Sequence, residues 1–76
     1  MVRWGDQLGR CQGYTVLAAD GRIVGKVRWL QYETQTDCPD ALAVRRRSIF
    51  GQRRDTIIPE GDVAEVRPTE RLVLLR

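Results

Sequence analysis

Five arginines crowd into ten residues: Arg45, Arg46, Arg47, Arg53 and Arg54, with no acid among them. Ser48-Ile49-Phe50-Gly51-Gln52 lies between the two groups. A basic hairpin that presents Phe50 is suited to gripping phosphates and stacking on a base. Guanidinium groups also hold carboxylates in a bidentate fork. The candidate binding surface is therefore Arg45, Arg46, Arg47, Phe50, Arg53 and Arg54. A plainer role fits the same residues: charge on an edge strand blocks sheet-to-sheet aggregation, and Ile49 and Phe50 would then tuck into the fold. Arg54 and Asp55 would pair with neighbours, for about 0–1 kcal/mol each.

Other chemistry is sparse. The chain has no His, so the commonest general base is missing, and Cys11 and Cys38 lack the partner that makes a thiolate. The acid pairs, Glu60 with Asp62 and Asp37 with Asp40, fall in turn-like segments where carboxylates cap free N–H groups. Gly21-x-x-x-Gly25-Lys26 is one residue short of a phosphate-loop spacing, and no Ser or Thr follows Lys26. It also lies between strands rather than before a helix. Without His or a C-x-x-C pair, a zinc site is not expected. The expectation is no catalytic residue, no metal, no cofactor and no enzyme.

Size limits what can hold these residues in place. The chain is 76 residues long with a net charge of +3 and a pI near 9.4. One domain of this length buries only about 60% of its unfolded surface, so its core is thin. Self-association is the expected supplement, since neither disulfide nor metal is. The first residues, Met1-Val2-Arg3-Trp4-Gly5-Asp6, show no apolar signal region, and the longest apolar runs fall far short of a membrane span. The expected compartment is the cytoplasm, with both cysteines reduced.

The elements read as strands separated by glycines. Tyr14 to Ala18 and a strand starting at Ile23 flank Asp20-Gly21, the strongest short-range hairpin signal. The second strand runs from Ile23 to about Glu33. Its odd apolar set is Ile23, Val27 and Trp29; its even set is Val24, Leu30 and Tyr32. Either both faces are covered, or a bulge near Gly25 or Arg28-Trp29 shifts the register. Trp29 is expected to fill the core, although one of Trp29 and Tyr32 is free to be exposed. Thr34 to Asp40 reads as a loop. Ala41 to Arg46 alternates, with Leu42 and Val44 inward and Ala43 and Arg45 on a wet side. Gly51 marks a turn, Asp55 to Ile58 a short strand and Pro59 its stop. A 3₁₀ turn near 60–66 would aim Val63 and Val66 inward together. Arg71 to Leu75 closes the chain as a strand covered on both sides. Residues 1–10 read as a loosely ordered arm unless Trp4 finds a pocket, and 11–76 as a single all-β domain.

In order, Gly13-Tyr14-Thr15-Val16, Asp20-Gly21-Arg22-Ile23-Val24-Gly25-Lys26-Val27, Asp55-Thr56-Ile57-Ile58-Pro59, Asp62-Val63-Ala64-Glu65-Val66 and Arg71-Leu72-Val73-Leu74-Leu75 give the chain its resemblance. It resembles the PRC-barrel family, whose barrel is shared by the photosynthetic reaction centre H subunit and the C-terminal half of the ribosome maturation factors. The resemblance covers roughly residues 11 to 76. It implies a small antiparallel six-stranded barrel that serves as an interaction module and has no active site. The second domain of the maturation factors and the membrane helix of the reaction-centre subunit are not in this sequence, so neither specific function carries over.

The function expected is therefore protein–protein contact or self-association as a homodimer. The alternative is an RNA- or ribosome-associated module acting through 45–54. Nucleic acid is the less favoured partner, because +3 is modest and acids in the second half offset the arginines. A small-molecule substrate is not expected, since a barrel of short strands is filled by its own side chains.

Overall fold

The computed structural model describes residues 4–33, 38–47 and 53–76, with side chains described for 6–33, 38–46 and 54–76. The turn at Gly51, Phe50, and the side chains of Trp4, Arg47 and Arg53 lie outside what is described. The elements are α1 (Trp4–Gly9), β1 (Thr15–Leu17), β2 (Ile23–Gln31), β3 (Ala41–Arg47), β4 (Arg53–Pro59), a 3₁₀ turn at Glu60–Asp62, β5 (Val63–Arg67) and β6 (Leu72–Leu75).

Six strands form one sheet in the order β4-β3-β2-β1-β6-β5. The expected barrel is corrected on two counts. The sheet is open, with β4 and β5 as its edges, although they are consecutive in the chain. Pro59 has no N–H to offer a ladder, and the 3₁₀ turn redirects the chain before β5 begins. The sheet is also mixed, because β1 pairs parallel with β6. All other pairings are antiparallel.

The β1–β2 hairpin forms where expected. Gly21 takes φ +88° and donates its N–H to the Ala18 carbonyl at 2.9 Å, while the Ala18 N–H reaches the Arg22 carbonyl at 2.8 Å. Asp20 closes the turn by accepting from the Arg22 backbone and pairing with its guanidinium at 2.8 Å. β2 then serves two partners. Its first half pairs with β1 and its second half with β3, and Lys26 is shared between them. Two bulges, at Val24 and at Arg28, each insert one residue and reverse the in–out alternation. Val24, Val27 and Leu30 therefore all reach the core, three residues apart, while Ile23 and Trp29 face outward. The mixed odd and even sets of this strand are thus explained by register shifts.

β5 uses the same device. A bulge at Ala64 turns both Val63 and Val66 inward on an extended strand, so their three-residue spacing is not helical. The expected 3₁₀ turn is present but ends at Asp62.

The core gathers Leu8, Cys11, Val16, Val27, Leu42, Val44, Ile58, Val63, Val66 and Val73. Ile58 and Val66 come from opposite edges, so the sheet curls around one centre without sealing. Within the stretch read as an arm, α1 (Trp4–Gly9) forms, its Leu8 is buried in that centre, and it adds a second helical segment to the one expected near 60–66. Both cysteines are free thiols; Cys11 is buried, and Cys38 packs against the same cluster.

Candidate binding surface on the open sheet

The arginine segment becomes a two-stranded ribbon. Arg45 lies opposite Asp55, Arg46 opposite Arg54 and Arg47 opposite Arg53. The β2 ladder on β3 ends at Lys26–Arg45, so the later pairs have no third strand beside them. The structure brings five of the six candidate residues together by backbone register, and Phe50 lies outside the described residues.

Charge divides these arginines into two kinds. Arg45 Nε donates to Asp55 Oδ1 at 3.2 Å, and both side chains are about two-thirds covered. Asp55 is the one acid in the sequence of β3 and β4. Arg46 and Arg54 face each other on the side that carries Val44, Leu42 and Ile58 further along the strands. Among the described residues neither they nor Lys26 has a carboxylate partner. The acids of the second half lie elsewhere: Glu65 and Glu70 bind Arg67, at 3.2 and 3.6 Å, on the opposite edge strand. The Glu65 hydrogen bond and charge, with help from Glu70, push the Arg67 pKa up. Of the ribbon's described arginines, Arg45 is thus offset by Asp55, while Arg46 and Arg54 have no carboxylate partner among the described residues.

The outer face of β2–β3–β4 carries an apolar row. Trp29 lies opposite Ala43, and Ala43 opposite Ile57. Trp29 is 39% exposed and Ile57 49% exposed, yet Ala43 between them is fully buried. This corrects two expectations: Trp29 does not fill the core, and Ala43 is not on a wet side. The bulge at Arg28 turns Trp29 outward. Tyr32, at 46% exposed, stands near the end of the same strand.

A groove opens where β2 leaves β3. Its volume is about 520 Å³, and Thr15, Ile23, Val24, Gly25, Lys26, Arg45 and Arg46 line it. Gly25 sets its shape, because a Cβ there would overlap the Arg45 carbonyl oxygen. Sequence reading singled out Gly25-Lys26 only as a failed phosphate loop. Lys26, Ile23 and Thr15 were missed as companions of Arg46, since the pairing of β2 with β3 across a long connection brings them together. A glycine inside a β-branched run was the available signal.

Among the described residues no helix is long and apolar enough to cross a membrane. Compared with known proteins, the chain matches no family model and no curated protein.

Proposed function

We propose that this chain is a non-catalytic interaction module, and that it works by contact with a second copy of itself. The Trp29–Ala43–Ile57 row carries this reading. Large exposed aromatic and aliphatic side chains are enriched at interfaces, where they supply most of the binding energy. The row runs to the edge strand β4, so a symmetric partner can approach without displacing another strand. A domain with a core this thin also gains stability by covering such a row.

Light scattering behind size-exclusion chromatography tests it. The wild type is expected to reach dimer mass at roughly 100 µM, an affinity within reach of a small apolar contact. Trp29→Ser with Ile57→Ser is expected to stay monomeric while keeping the native circular dichroism. A wild type that remains strictly monomeric at that concentration overturns the reading.

A further inference from the structure

We infer that the two-stranded end of β3 and β4 binds the phosphodiester backbone of a nucleic acid, independently of the self-association row. The placement of charge is the first observation. Residues 45–54 hold five of the chain's 13 basic residues and none of its 10 acids. Acids outnumber bases over the rest of the chain, so the net charge of +3 originates in this segment. Asp55 takes up Arg45 at 3.2 Å. Glu65 and Glu70 are engaged by Arg67 on β5, the opposite edge of the sheet.

Register supplies the second observation. Arg46 lies directly opposite Arg54, and Arg47 opposite Arg53 in the next rung. Directly opposed residues share a face, with Cβ atoms about 5 Å apart. Arg46 and Arg54 are therefore two like charges side by side. Both are exposed, and neither has a carboxylate partner among the described residues. Four arginines fall in two successive rungs. An extended acidic peptide offers at most one charge per residue, about 3.3 Å of its length. A nucleic acid duplex offers one per about 1.7 Å of its axis, which suits so dense a cluster better.

The third observation separates nucleic acid from a protein partner. Beyond the Val44–Thr56 rung, the described side chains are Arg45, Arg46, Arg54 and Asp55. They include no large apolar group around which a desolvated protein interface could form. Nucleic-acid interfaces are polar and strongly positive instead. The β2 ladder on β3 stops at Lys26–Arg45, so no third strand lies beside Arg46. Contacts of this kind go to phosphate and carry no sequence preference.

The test uses the full chain at low micromolar concentration, below the roughly 100 µM at which self-association is expected. The probes are a fluorescein-labelled oligouridylate of about 20 nucleotides and a DNA duplex of about 20 base pairs, read by fluorescence anisotropy. At least one is expected to bind, with an affinity that falls steeply between about 50 and 200 mM salt. Arg46→Gln with Arg54→Gln is expected to weaken binding by at least about tenfold, the loss of two charge-assisted contacts. It should also lower the slope of log affinity against log salt by about 1.4 for the single strand or 1.8 for the duplex. This variant removes a like-charge rung, so it should fold at least as stably as wild type, which native dichroism checks. Arg67→Gln with Arg76→Gln removes the same charge away from the ribbon and should leave affinity and slope close to wild type. The inference is overturned if neither probe binds at about 50 mM salt, or if binding is insensitive to salt. It is also overturned if the two double variants weaken binding equally, since net charge alone would then explain it. Displacement of the probe by polyglutamate at equal charge overturns it too, and makes the ribbon a surface for an acidic protein.

Discussion

Gly25 and Cys11 show how single residues set the limits of this fold. At Gly25 the two strands touch: an added Cβ would overlap the Arg45 carbonyl oxygen and lie 2.9 Å from its carbon and 3.1 Å from Val44 Cγ1. Backbone atoms paired in a ladder do not yield easily. Gly25→Ala is expected to cost about 3 kcal/mol in urea denaturation, the upper end of overpacking. Gly21 is the contrast. Its φ of +88° is strained for alanine, but nothing lies within 4 Å, so Gly21→Ala should cost only about 1–2 kcal/mol. Reversing that order would refute the close-approach account. Cys11 is buried, and desolvation pushes its thiol from 9.0 up to about 11. Because the folded value is raised, its contribution to stability is fully present below pH 9. It is lost as pH rises towards 11, since the unfolded chain releases the proton first. The loss saturates at about 2–3 kcal/mol. Denaturation midpoints followed from pH 8 to 11 should fall less steeply in Cys11→Ala than in wild type. Sequence marked Gly25 only as a glycine interrupting a β-branched run and was silent on the depth of Cys11, because neither a close approach nor a burial depth is a local property.

At the scale of elements, bulges decide more than propensity. The hairpin at Asp20-Gly21 was legible because its turn chemistry is contained within a few residues. The inward set of β2 was not, since the positions of two bulges depend on which strands pair with it. Val63 and Val66 show the ambiguity directly. A three-residue spacing fits a helical turn or a bulged strand equally well, and pairing with β6 selects the strand. The ribbon poses a different question. Arg46 and Arg54 sit directly opposite one another, an arrangement that destabilises a sheet. Arg54→Glu should create an attractive pair with Arg46 and stabilise the protein by about 0.5 kcal/mol, measured by urea denaturation. No gain, or a loss, would show that the two guanidinium groups do not oppose each other in solution. That such a pair stands unrelieved fits a surface kept for contact rather than for stability.

For the whole molecule, the proposed self-association would tie assembly to stability. A dimer formed through the Trp29–Ala43–Ile57 row makes the thermal midpoint rise with protein concentration, and Trp29→Ser with Ile57→Ser should abolish that dependence. Residue types and spacing alone settled that this is a small β domain, where its first hairpin turns, and which arginines lie close together. These follow from composition and from backbone preferences that act over a few residues. Tertiary structure alone decided that the sheet stays open and mixed, that α1 is pinned by Leu8, and that Trp29 faces outward. It also decided that Asp55 pairs with Arg45 while Arg46 faces Arg54. Each of these depends on pairing between distant strands, where one inserted residue reverses every face that follows.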